Sequence, residues 1–197
     1  MKKPVWIPVL TIALAAVILL AAAFGLNGIA AKNAQAEHLS MMQTLLPGSE
    51  SFTVEPYSGE DANIVSVHKA ENGFVIETVT YGYAGDITML IGVSNEGKVT
   101  GLVVRDMSET FGLGANALTD HVFLSQFLNS SGSFAVATSG ADAFSGATST
   151  SDGEADVNVD AITGATVTSK AIVRCVNSAV AYVTGADVSS GATTWGG

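Results

Sequence analysis

The chain holds a single cysteine, Cys175, among its 197 residues, so no internal disulfide can form and cysteine usage does not reveal a redox compartment. The three histidines, His38, His68 and His121, are scattered, and no Cys/His spacing suggests a metal site. No Ser-His-Asp order stands out among the many serines, so no catalytic residue is assigned. Cations are scarce: 8 Lys/Arg face 18 Asp/Glu, for a formal net charge of −10. All the acids lie from Glu37 onward, where only Lys69, Lys98, Arg105, Lys170 and Arg174 oppose them. Phosphate contacts need clustered Lys/Arg, so nucleic acid is a poor partner for this surface. The acidic balance favours solubility and, at most, a basic docking partner.

Charge is also missing from Val5 to Ala31. That apolar run exceeds the roughly 20 residues needed to cross a bilayer. Lys2 and Lys3 precede it, which predicts a cytoplasmic N-terminus at 1–4, a transmembrane helix at 5–31 and the remainder outside the cell membrane. A cleaved signal peptide is the rival reading, since Ala34-Gln35-Ala36 resembles a cleavage site, but the run is longer than a signal peptide's apolar region of about 7–15 residues. Thr11 and Asn27 are its only polar side chains, which suits an anchor or assembly contact better than an ion path.

Beyond the span the pattern reads as an α+β domain with an antiparallel sheet and packed helices. A linker helix and lead-in occupy 32–63, the domain 64–183, and a polar, glycine-rich flexible tail 184–197. Within the lead-in, 34–46 reads as a helix stopped by Pro47-Gly48, with Leu39, Met42 and Leu46 on its packed side. β-branched and aromatic residues predict strands at 64–67, 73–81, 87–93 and 99–104, joined by short turns into a meander. Helical spacing of Val122, Phe123, Phe127 and Leu128 predicts a helix over 118–128, capped by Thr119 or Asp120. Residues 129–156, dominated by small polar types, read as an irregular excursion. A last helix over 168–183 presents Ile172, Cys175, Val176, Ala179, Val180 and Val183 as its buried stripe, and Gly185 ends it. Cys175 on that stripe reads as a core residue.

One heptad, Asp-x-x-[Ser/Thr]-Gly-Ala-Thr, occurs three times: 142–148, 160–166 and 187–193. The middle copy falls just before the last helix, whose N-terminal N–H groups and positive dipole end suit a phosphate. Gly164 and Ala165 allow close backbone approach, and Thr163, Thr166, Thr168 and Ser169 bring hydroxyls. An ordinary helix cap is the competing reading. Asp160, an anion, reads as a turn residue or a recognition element. The copies ending at Thr148 and Thr193 have no amphipathic helix behind them.

The segment DAITGATVTSKAIVRCVNSAV resembles the C-terminal signature of the FMN-binding domain family. GYAGDITMLIGVSNEGKVTGLVVRDMSETFGLGAN looks like that family's strand-turn-strand segment and its ETPGLG loop, and LLPGSESF also fits. The family includes the G subunit of the Rnf complex and the C subunit of the sodium-translocating NADH:quinone reductase; by length and single N-terminal helix, this chain is most similar to the former. The resemblance implies FMN held covalently through a phosphoester on Thr166, attached by a flavin transferase that uses FAD. It implies an extracytoplasmic electron carrier among the other subunits of a membrane complex that couples ferredoxin/NAD electron transfer to ion translocation, with no activity alone. Glu109, Thr110, Gly112, Leu113 and Gly114 of the ETFGLG loop would lie near the flavin, and Thr148 and Thr193 are extra attachment candidates. The chain departs from the pattern at Phe111, usually Pro, and Met107, often His. Phe111 reads either as a ring for the flavin to stack on or as core; Tyr83 reads either as a flavin neighbour or as a half-buried turn aromatic. A stand-alone flavin shuttle on the outer membrane face is the alternative within redox function, and a non-redox envelope module the alternative outside it.

Overall fold

The computed structural model describes residues 14–15, 32–33, 35–108, 120–137 and 155–186. The chain divides into two compact units, Met1–Met41 and Met42–Gly197. Apart from Leu14 and Ala15, the expected membrane span lies outside the described residues, and among these no helix is long and apolar enough to cross a membrane.

The second unit is built on a five-stranded antiparallel meander: β1 (Thr53–Glu55), β2 (Ile64–Lys69), β3 (Gly73–Tyr81), β4 (Asp86–Ser94) and β5 (Val99–Met107), paired in chain order. The three central hairpins match the predicted meander, each strand extending the expected range by a few residues or none. β1 was not expected; it is three residues long and is held by Thr53↔Lys69 and Glu55↔Val67 pairing. Gly97, at φ 78°, closes the β4–β5 turn with its N–H on the Ser94 carbonyl at 2.9 Å.

Strand alternation gives the sheet two buried faces. On one, Ile76 of β3 and Ile87, Met89, Ile91 and Val93 of β4 join Val67 and Val99 in the main core. α3 (Thr166–Thr184) covers this face with Ala171, Ile172, Cys175, Val176, Ala179 and Val180. The predicted stripe is therefore the observed one, except that Val183 is only partly buried. Gly185 ends α3 in the left-handed region at φ 70°, its N–H on the Ala181 carbonyl at 2.8 Å. α2 (His121–Ser125) is shorter than the predicted 118–128. Asp120 caps it, accepting from Val122 N at 2.8 Å and Phe123 N at 3.2 Å. Val122, expected inward, is 77% exposed, while Phe123 and Phe127 pack edge-on with centroids 5.5 Å apart.

The irregular excursion expected at 129–156 contains a strand, β6 (Phe134–Ala137), which pairs in parallel with a second unexpected strand, β7 (Val157–Asp160). Asn177 of α3 fixes β6 through both its amide atoms: Phe134 N donates to Oδ1 at 2.8 Å and Nδ2 donates to Phe134 O at 2.9 Å. Non-local bonds of this kind supply what four-residue strands lack in length.

The opposite sheet face receives the end of α1, a helix over 35–45. Met42, Leu45 and Leu46 are buried there; Leu39, expected on the packed side, is 37% exposed. Leu45 sits over a cross-strand glycine pair, Gly92↔Gly101. A Cβ at Gly101 would lie 2.9 Å from Leu45 Cα, and one at Gly92 would collide with the Leu45 carbonyl. Register shifts at this point, because Val93 pairs with Val99 and Gly92 with Gly101. The extra residue of that bulge, Thr100, donates its hydroxyl to the Leu45 carbonyl at 2.6 Å. Gly92→Ala should therefore lower stability by about 1–3 kcal/mol, as overpacking does. Thr100→Val should cost about 1 kcal/mol for the lost hydrogen bond. Urea midpoints of the two variants check the order.

Cys175 is fully buried, and burial pushes its thiol up to about 11 from 9.0. The folded state thus holds a proton that the unfolded chain releases, so this group's contribution is complete below pH 9.0 and is lost as pH rises toward about 11. Chemical denaturation across that window should show a declining stability, and Cys175→Ala should flatten the decline.

Candidate functional site

The heptad 160–166 is a strand–turn–helix joint, because β7 ends at Asp160 and α3 begins at Thr166. Asp160, expected in a turn, is the last residue of β7. The Gln126 amide clamps its backbone, accepting from Asp160 N at 2.8 Å and donating to its carbonyl at 3.4 Å. Ala165 N donates to Ile162 O at 2.9 Å, closing a turn in which Gly164 takes φ 79°. A positive φ at the third position of a turn favours glycine, since a Cβ there is strained.

Ser169 holds this turn from below. Its buried hydroxyl donates to Ala165 O at 3.0 Å and accepts from Ile162 N at 3.2 Å. Thr168 is buried too, Thr166 is half-buried, and Thr163 and Gly164 are exposed. Of the sequence-predicted residues 163–166, Thr163 and Gly164 thus face solvent, Thr166 does so in part and Ala165 is buried, while the Ser169 hydroxyl is committed to the loop backbone. Ala165 occupies the N-cap position and makes no side-chain cap bond, and the helix's first turn contains no acid. Ser, Thr, Asp or Asn usually fills that position. A helix end without a capping oxygen or a carboxylate is chemically suited to an anion.

The course of α3 locates this end relative to the sheet. Thr184 meets Gly97 at the β4–β5 turn, and Tyr182 packs on Phe74 at the start of β3 with centroids 5.7 Å apart. Ser178 accepts from Asn63 Nδ2 at 3.1 Å, and Arg174 donates through Nη2 to the Tyr81 carbonyl at 2.9 Å, at the end of β3. The helix therefore runs antiparallel to β3, and Thr166 lies two turns further toward the β3–β4 turn. That same end carries Ser108, whose N–H meets Asp86 O at 3.0 Å and whose Cβ lies against Gly85. The chain enters the ETFGLG segment from there. Glu109, Thr110, Phe111, Gly112, Leu113 and Gly114 themselves lie outside the described residues, as do Thr148 and Thr193. Tyr83, at this end of the sheet, is 67% exposed and not half-buried.

Gln126 and Arg174 escaped sequence reading. Each acts through a backbone partner remote in the chain, which no local pattern reveals; only the structure pairs them with β7 and β3.

A sequence model of a family described as FMN-binding domain matches residues 82–157 and 152–181. The chain is 38% identical over 111 residues to the G subunit of the proton-translocating ferredoxin:NAD(+) oxidoreductase complex of Clostridium ljungdahlii, a match that covers 56% of this chain and 53% of that one. It is 35% identical over 109 residues to the G subunit of the Na(+)-translocating ferredoxin:NAD(+) oxidoreductase complex of Acetobacterium woodii, covering 55% and 47%. The G subunit of an ion-translocating oxidoreductase complex of Methanosarcina acetivorans is 34% identical over 154 residues, covering 72% of each chain. The matches thus span about half the length of the first two relatives.

Ser169→Ala removes both hydroxyl bonds to the 162–165 turn and leaves Ile162 N without that acceptor. Stability should fall by about 1–3 kcal/mol. Amide exchange at Ile162 should accelerate more than exchange at the far end of α3, which hydrogen-exchange mass spectrometry checks.

Proposed function

The chain belongs to the FMN-binding domain family, and from that premise we propose that it carries FMN as a phosphoester on Thr166. It acts as the G-type electron-transfer subunit of an ion-translocating ferredoxin:NAD oxidoreductase complex. The observation that carries the site is the joint at 160–166: a half-buried threonine opens a helix whose N-cap residue, Ala165, makes no side-chain cap bond and whose first turn holds no acid. This donor set fits a phosphate, which accepts hydrogen bonds and carries negative charge. The similarity to three G subunits supports the assignment to a complex.

When bound, FMN supplies one- and two-electron transfer, and the protein supplies placement. Gly164 and the Ser169 bonds set the turn that presents Thr166. Gln126 fixes the strand before it, and Arg174 ties the helix behind it to the end of β3. A threonine hydroxyl is a weak nucleophile unaided. Attachment therefore falls to a flavin transferase: the bond from Thr166 Oγ to the FMN phosphorus forms, the bond from that phosphorus to AMP breaks, and the hydroxyl proton leaves to the transferase. The family resemblance assigns Glu109, Thr110, Gly112, Leu113 and Gly114 of the ETFGLG motif, which lie outside the described residues, to the flavin's surroundings. Residues 5–31 anchor the chain, with its N-terminus cytoplasmic and its domain outside.

Peptide mass mapping of the chain made in cells that contain the transferase tests this reading. The expected result is one FMN on the Thr166 peptide and none after Thr166→Val; a bare Thr166 in the parent chain would overturn it. The same map reads the other heptads: a transferase that recognises the linear motif also loads Thr148 and Thr193, whereas one that needs the helix leaves them bare. Migration in mild detergent with multi-span subunits supports the complex, and migration alone supports the stand-alone shuttle.

A further inference from the structure

Five cations serve the acidic part of the chain, and the structure accounts for most of them. Arg105 pairs with Glu77 at 2.6 Å, and Lys69 with Glu55 at 3.9 Å. Arg174 is spent on the Thr80 hydroxyl at 3.3 Å and the Tyr81 carbonyl at 2.9 Å. Lys98 lies by the β4–β5 turn and interacts electrostatically with Glu96. Lys170 differs: it is exposed and forms no ion pair among the described residues.

Its position on α3 gives that charge a direction. Residues four apart on a helix are surface neighbours, with Cβ atoms about 5–6 Å apart. Thr166, Lys170 and Arg174 therefore stand in one row. Helical side chains lean toward the N-terminus and cover the turn before their own, so a long side chain at 170 overlies the turn that starts at Thr166. A lysine stem is longer than the gap between neighbouring turns, so its ammonium reaches the oxygens of a group bonded to Thr166 Oγ. The first turn of α3 holds no carboxylate to compete for it.

We infer that Lys170 is the counter-ion of the FMN phosphodiester, pairing across one helical turn with the charge that attachment leaves on Thr166. This rests on the attachment reading above. Lys170 is a positioning residue: it holds the phosphate end of the cofactor arm against α3, next to the dipole end that attracts the same charge. A diester keeps one negative charge at neutral pH, so the pair is a single cation with a single anion. Because Lys170 is exposed, the pairing is modest and sensitive to salt.

Competitive acetylation of lysines in the full chain, read by peptide mass spectrometry, tests the pairing. Flavin-loaded parent chain is compared with the unloaded Thr166→Val variant. Lys170 should acetylate about two- to five-fold more slowly in the loaded chain, the range that an exposed ion pair provides. The protection should vanish near 1 M salt, where the screening length is about 3 Å. Lys98, at the other end of α3, should react equally in both chains. A loaded chain whose Lys170 reacts as fast as in Thr166→Val overturns the pairing and leaves the attachment standing. Protection that persists at high salt also overturns it, since that is shielding by bulk. A parent chain with no flavin on the Thr166 peptide overturns the attachment itself, and the pairing with it.

Discussion

Packing of α3 across the core face of the meander is the constraint on which the rest of the structure depends. Ile172, Cys175, Val176 and Ala179 fill the space above Ile76, Met89 and Ile91. Once those residues interdigitate, the helix has one axial position. The polar contacts along it agree on that position: Asn63 meets Ser178, Thr80 and Tyr81 meet Arg174, and Phe134 meets Asn177. Sliding the helix by one turn would break all of them and expose part of the stripe. The N-terminal end of α3, with Thr166, is therefore placed by hydrophobic matching several turns away and not by the local turn alone.

The sheet is buttressed unequally. Its core face carries large side chains and a long helix, whereas the other face is closed by the last turn of α1 on two facing glycines. Gly92 and Gly101 weaken the strands that contain them, since a glycine there has no side chain to pack. That loss is offset by close approach of a helix end, whose terminal carbonyl at Leu45 finds the Thr100 hydroxyl. Helix ends leave carbonyls without intrahelical partners, so this bond answers a need of α1 as well as of the sheet.

Much of this is legible in the sequence, for identifiable reasons. β3 can be read to the residue because Gly73-to-Tyr81 is dense in β-branched residues and ends at turn glycines. The α3 stripe is legible because 3.6-residue spacing recurs over five turns. β6 and β7 are not, since each has four residues set in small polar surroundings, and their order comes from the Asn177 and Gln126 amides far away in the chain. The spacing over 118–128 suggests too long a helix because Phe123 and Phe127 are core residues four apart. Phe127 reaches the core from a turn that leads to Asn129 at φ 59°. The heptad 160–166 marks a real strand–turn–helix joint. Its composition hides the different surroundings of the hydroxyls there: Thr166 is half-buried, whereas the buried Ser169 hydroxyl is consumed in holding the loop.

The parallel pairing of β6 with β7 has a topological consequence. Ala137 stands opposite Asp160, so β6 finishes beside the residue that opens the Thr166 heptad. One two-stranded ribbon thus delivers the chain to the start of α3, while Asn177, near the middle of that same helix, grips the ribbon's far end at Phe134.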